Sequence, residues 1–238
     1  MSIHDPIIEL QPAARFRVDD GSISATPGSL GTAQGVSVVP GLEGEAIRFN
    51  RGRVSAWAVS NFSYDREMTV VAWVRCLPEV GARRIIGREN GGTMVALQVT
   101  AGGQPKFELR STVGNYVMSV TGSTRIDDGE WHLVAGVTRK RFNGLGLDTR
   151  GLSYFLWIDG ELDNQGYMTP GIFGATPDFG MTTDVVLGQG ARGDLAFTGD
   201  IQTAAVASGA ANNALLRQMW SARPASTGGT TGWGIVLS

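Results

Sequence analysis

The residues with the clearest chemical potential lie between Asp127 and Gly160. A strand that opens on Trp131-His132, just after the turn Asp127-Asp128-Gly129-Glu130, could present a catalytic imidazole. The alternative is that Trp131 packs into a core while His132 hydrogen-bonds at a sheet rim. His4 is the only other histidine, and no G-x-S-x-G, H-E-x-x-H or phosphate-binding glycine loop occurs anywhere. Paired carboxylates on one strand face would suit glycoside double displacement. The nearest approach is Glu161-Leu162-Asp163-Asn164-Gln165, where the last acid is missing and the segment reads as lying in a turn after Asp159-Gly160. No catalytic residue is therefore assigned, and the chain is not expected to be an enzyme.

Binding chemistry has more candidates. Asp19, Asp20, Asp127, Asp128, Asp184, Asp194 and Asp200 cluster at turns. Their hard oxygens suit Ca2+, although aspartate at a turn is usually a turn former. No cofactor is expected, and Ca2+ is the one ion these acids could take. A basic, glycine-rich stretch runs from Arg139 to Ser153, with Arg139, Lys140, Arg141 and Arg150 among Gly144, Gly146 and Gly151. Read as a long hairpin loop, it would contact an acidic glycan or a neighbouring subunit, or it is a solvated insertion. The stretch Gly166–Met181 carries Tyr167, Phe173 and Phe179, which could stack on sugars or pack on the sheet or a partner chain. Trp233 stands in an apolar C-terminal tail, and Ile7, Ile8 and Leu10 in an N-terminal arm; exposed residues of these types tend to sit at interfaces. The candidate contact residues are thus Arg139, Lys140, Arg141, Arg150, Tyr167, Phe173 and Trp233.

The elements that must position these residues read as strands. Residues 131–137 and 154–158 are apolar, β-branched and aromatic, bounded by DG turns, and predict a long hairpin. Met68–Val74 alternates so that Val71 and Trp73 share one face and Val70, Ala72 and Val74 the other. Further strands are expected over 13–18, 39–50, 53–59, 85–87, 94–99, 106–110, 116–120, 185–188 and 195–206. Residues 21–37 read as a loop or weak edge strand, and 61–64 as a linker. Leu215, Leu216 and Met219 give 212–220 helical spacing.

Composition sets outer bounds. The 238 residues suffice to bury one β-sandwich core without disulfides, and 34 glycines suit a fold with many turns. With 18% charged residues, a net charge of −2 and no basic patch, neither nucleic acid nor a membrane is an expected partner. Cys76, the single cysteine, follows Trp73-Val74-Arg75 in a strand and reads as a small buried apolar residue.

Three motifs are similar to those of laminin-G-like domains of the concanavalin-A-like superfamily. They are the hairpin "DGxWHxVAxV … LxxDG", the strand Met68–Val74 and the closing run Leu187-Gly188 with Phe197–Val206; Gly41–Phe49 resembles the approach to a core strand. The resemblance spans residues 13–220 in matched order. It implies an all-β, antiparallel jelly-roll sandwich of two sheets with a short C-terminal helix, an arm over 1–12 and a tail over 221–238. It also implies that Trp131-His132 is structural. Where the family often carries an acidic pair after "GxI", this chain has Gln202 and Thr203, which argues against a family-style ion site. A non-enzymatic interaction module follows. With no visible export signal, a phage virion component is expected, such as a capsid decoration or tail-associated protein. It would be a homo-oligomer or bound to capsid or tail proteins, located in the virion or exported without a signal peptide. The alternative is a lectin-like module for a cell-surface or polysaccharide glycan.

Overall fold

A computed structural model describes residues 12–26, 29–57, 67–142, 148–169, 177–179, 183–190 and 192–224. In chain order the strands are β1 (Pro12–Asp19), β2 (Ser22–Thr26), β3 (Ser29–Pro40), β4 (Glu45–Trp57), β5 (Met68–Arg75), β6 (Arg83–Asn90) and β7 (Thr93–Val99). They continue as β8 (Pro105–Ser111), β9 (Tyr116–Thr121), β10 (Trp131–Phe142), β11 (Asp148–Ile158), β12 (Glu161–Met168), β13 (Val185–Leu187) and β14 (Thr198–Ser208). One helix, α1 (Asn213–Ser221), follows. Every strand pair is antiparallel. No described helix is long and apolar enough to cross a membrane.

The architecture is the expected sandwich, but hydrogen bonding runs without a break from one layer to the other. The first layer is β12-β11-β10-β5-β14-β4, and the second is β13-β6-β7-β8-β9. Strand β4 joins them. Its first half pairs with β14 through Ile47–Asn50, and its second half pairs with β13 through Val54–Ala56. Between the halves Arg51 adopts φ 57°, and β3 breaks register beside it at Gly35, φ 62°. A side chain on Gly52 would run into the backbone of Gln34 and Gly35, so only glycine lets both strands bend here. The described parts of the segments 39–50 and 53–59, read separately from sequence, thus fall in the end of β3, the Gly41–Gly44 turn and one bent strand, β4.

The two faces of β5 divide as its alternation predicts. Val70, Ala72 and Val74 enter the core between the layers, against Ile85, Val95, Leu97, Phe107 and Leu109. Val71 and Trp73 face outward, into a second cluster with Leu133, Ala135 and Trp157. Helix α1 covers that cluster with Leu215, Leu216 and Met219. The ring of Trp220 stacks on Trp73 at 5.5 Å and 17°. The helix starts where Asn212 Oδ1 accepts the Leu215 amide at 2.8 Å.

Three sequence readings are corrected. Arg139–Ser153 is no fifteen-residue loop: β10 runs to Phe142 and β11 begins at Asp148, with Arg139 opposite Ser153 and Lys140 opposite Leu152. The glycines suggested a loop, but Gly151 is a buried strand residue. Glu161–Gln165 is no turn either. The turn is Asp159-Gly160, at φ 55° and 80°, and the edge strand β12 carries Tyr167 as well. Of the loop and edge-strand readings of 21–37, the second holds for the described residues: β2 and β3 each have one strand partner. The last strand starts at Thr198 rather than 195. The arm 1–11, the linker 61–64, Phe173 and the tail with Trp233 lie outside the described residues.

Candidate functional site

The outer face of the first layer has two regions that α1 leaves open. The first is a groove of about 770 Å3 beyond one end of the helix. Its floor is a row of residues in direct register across neighbouring strands. Arg48 of β4 stands opposite Asp200 of β14, Asp200 opposite Arg75 of β5, and Arg75 opposite Trp131 of β10. Residues in register share a face, so four positions scattered along the sequence form one line.

Asp200 is 3% exposed and accepts four hydrogen bonds. Arg48 Nε reaches Oδ1 at 2.8 Å and Nη2 reaches Oδ2 at 3.1 Å. Arg75 Nε and Nη2 reach Oδ2 at 3.1 and 2.6 Å. Burial alone would push the Asp200 carboxyl up, but the two guanidinium groups outweigh it and hold the carboxyl below its ordinary range. The Arg75 guanidinium also lies 5.0 Å from the centre of the Trp131 ring. Leu77, Pro78 and Glu79 line it too, together with the adjoining Asp128, Gly129 and Glu130; the Gly129 amide donates to Cys76 O at 3.0 Å. Leu77 is 65% exposed and the neighbouring Val80 is fully exposed.

His132 anchors the Asp128 part of this lining. Its Nδ1 is 2.9 Å from Asp159 Oδ2 and its Nε2 is 3.1 Å from Asp128 Oδ1. Carboxylates only accept, so this arrangement favours the protonated ring, which can donate from both nitrogens. Burial opposes this charge, and the bonds and charges of Asp159 and then Asp128 outweigh burial, so the pKa rises. The rim role expected for His132 is what the structure shows, and Trp131 is half-buried beneath Arg75 rather than deep in the core. Cys76 lines the groove floor, and burial pushes its thiol up to about 11. The thiol is therefore no nucleophile.

The second open region holds several of the residues singled out from sequence. The Arg139 guanidinium sits 5.3 Å from the Phe155 ring and bonds Ala211 O at 2.8 Å and Asn213 Oδ1 at 3.2 Å, which ties β10 to the start of α1. Arg141 lies 4.8 Å over the ring of Tyr167, which is 71% exposed, and bonds Thr169 Oγ1. Arg139, Arg141 and Tyr167 therefore come together. Lys140 alternates to the opposite side, its amide bonded to Glu67 Oε1 at 3.3 Å. Arg150 is in β11, on the strand that pairs with β10. Phe179 is wholly buried in the core, so of the two readings of that aromatic, packing holds.

The acids considered for Ca2+ are dispersed into other work. Asp127 bonds Arg125 at 2.9 and 3.1 Å, Asp128 serves His132, and Asp200 serves two arginines. Among the described residues no three His, Cys, Asp or Glu side chains group as a metal site. Gln202, in place of the family's acid, is fully buried; its Oε1 accepts the amides of Leu42 and Glu43 at 2.7 and 3.2 Å, and its Nε2 donates to Glu43 O. It clamps the Gly41–Gly44 turn against β14. The would-be hydrolase acids are similarly committed. Asp163 accepts four bonds from Ser123 and Thr124, and Glu161 pairs with Arg217 at 3.1 Å.

A family model for the concanavalin A-like lectin/glucanases superfamily matches residues 50–215. The chain belongs to this superfamily. No curated protein matches its sequence at a significant level. Solved superfamily-like folds include the binding domain of Paraclostridial Mosquitocidal Protein 1, at 13% identity and TM-score 0.66, covering 89% of this chain and 52% of that one. Domain 4 of AbnA, an extracellular arabinanase from Geobacillus stearothermophilus, in complex with arabinotriose, matches at 18% identity and TM-score 0.62, covering 87% and 97%. The binding domain of Botulinum Neurotoxin DC in complex with SialylT matches at 11% identity and TM-score 0.63, covering 92% and 52%. The chain thus spans about half the length of the toxin binding domains that it resembles. At such identities the likeness is one of fold.

The groove is the feature that sequence reading missed. Arg48, Arg75 and Asp200 meet across separations of 152 and 125 residues, and no local pattern marks such a meeting.

Proposed function

We propose that this protein is a non-enzymatic binding module that takes a glycan in the groove over Arg48, Asp200 and Arg75. The observation that carries this reading is the locked row itself. Each arginine spends Nε and Nη2 on Asp200, which leaves Nη1 of each without a partner among the described residues. These donors are held in a concave site whose lining also supplies carboxylate acceptors and the apolar Leu77 and Pro78. Fixed polar groups in a mostly preformed cleft are what ligand recognition needs. The arabinotriose and SialylT complexes of fold neighbours support a sugar as the ligand class. The commitment of Asp163 and Glu161 to other groups supports binding without turnover.

The test is a glycan array followed by calorimetric titration of the best ligand. Binding is expected, and Arg75→Ala should weaken it by roughly tenfold or more, the cost of a lost charged hydrogen-bond donor. Tyr167→Ala should leave it unchanged. The reverse pattern would move the site to the Arg141–Tyr167 region, and a blank array would remove the glycan reading.

Val80 and Leu77, exposed side by side at the groove rim, favour a second reading as an assembly module docking on another subunit, in a virion or elsewhere. Under that reading the native mass exceeds one chain or purified particles retain the protein. A monomer that particles do not retain would end it.

A further inference from the structure

We infer that the groove selects uncharged glycans over acidic ones. This deepens the glycan reading and rests on it. Two arginines in a cleft suggest an anion site at first sight, but their charges are already engaged. Asp200 takes four N–H bonds from them and lies buried between them, so the trio keeps a single surplus positive charge. Glu130, exposed in the groove lining, has no ion pair among the described residues and balances that surplus in sign. The remaining acids of the lining compete for cations that Asp159 and Asp127 also share. Asp128 faces His132 at 3.1 Å, and Glu79 lies 3.9 Å from the buried Arg83. No net positive charge is left over for a ligand carboxylate.

An acidic sugar would also meet Glu130 and Asp128 across a partly dry cleft, where like charges repel more strongly than in water. A neutral sugar meets no such opposition. The outward Nη1 groups of Arg48 and Arg75 donate to hydroxyl oxygens, and the Glu130 and Asp128 carboxylates accept hydroxyl protons. Vicinal hydroxyls donate and accept at once, so they satisfy both kinds of group. Leu77 and Pro78 offer an apolar strip to the C–H face of the ring.

The experiment titrates the intact chain with a neutral oligosaccharide and with its uronic-acid counterpart on the same backbone; arabinotriose and N-acetylneuraminic acid serve as a second pair. The neutral member is expected to bind at least about tenfold more tightly. Glu130→Gln, on an exposed side chain that folding does not need, should narrow that gap. Equal or tighter binding of the acidic member, or a gap that Glu130→Gln leaves untouched, overturns the inference while the glycan reading stands. Binding of neither member to the wild type overturns both.

Discussion

At the residue scale, the groove depends on charges that only make sense together. Asp200 is buried because two guanidinium groups replace the water it lost, and they are oriented because Asp200 holds them. Asp200→Asn removes the anion and leaves two cations side by side. Both arginines reach solvent, which softens the penalty. We expect a loss of about 2–3 kcal/mol, below the full cost of stranding a buried charge, read by urea denaturation. A loss within about 0.5 kcal/mol, the range of ordinary surface changes, would contradict the structural importance of the row. His132 makes a pH-dependent statement. Its folded pKa is raised above the ordinary 6.5, so its stabilisation is fully present below that value and is lost as pH climbs through the folded pKa. Wild-type stability should therefore fall relative to His132→Gln as pH rises from 6.5 through the raised folded pKa. Parallel pH profiles for the two proteins would show that the two carboxylates do not hold a proton on the ring.

At the element scale, α1 completes the outer face that the strands leave apolar. Trp73 and Trp157 would otherwise present indole to solvent, and the helix roofs them with Leu215, Leu216 and Met219. Asn212→Ala removes the cap on the Leu215 amide and should cost about 1 kcal/mol. The same change should raise amide exchange in α1 without touching β10. Uniform exchange changes across the sheet would mean that the helix is not a separable unit. The helix face and the two faces of β5 were legible in the sequence because both rest on local periodicity, every third or fourth residue and every second residue. The ends of β10 and β11 were not, because Gly144, Gly146 and Gly151 signal a loop while strand pairing keeps Gly151 extended and buried. Edge strand β12 was hidden by its polar residues, which an exposed strand carries without cost. The continuity of β4 was hidden by Arg51-Gly52, which reads as an end and acts as a bend. The groove had no local signature, since register across three strands is decided by the whole sheet.

At the scale of the whole molecule, the bend in β4 makes two layers one hydrogen-bonded body. Strand β14 pairs with β5, β4 and β1 along its length, and β4 passes from β14 to β13 and so into the second layer. Neither layer can lose its edge near β4 without exposing the core of the other. Unfolding should accordingly be a single transition. The tryptophans offer a test that separates the parts. Trp73 and Trp157 lie beneath α1 on the outer face of the first layer and Trp220 belongs to α1 itself, whereas the strands of both layers contribute to the far-ultraviolet circular dichroism. If the layers are one body, fluorescence and dichroism give the same midpoint in urea. An earlier fluorescence midpoint would mean that α1 lifts off while the sandwich persists. Gly52→Val sharpens the comparison, because a side chain there collides with the Gln34 and Gly35 backbone where β3 and β4 turn together. Both probes should then shift to lower urea by the same amount. A shift confined to one probe would show that the bend serves one layer alone, and that the continuity of the hydrogen bonding carries no cooperativity.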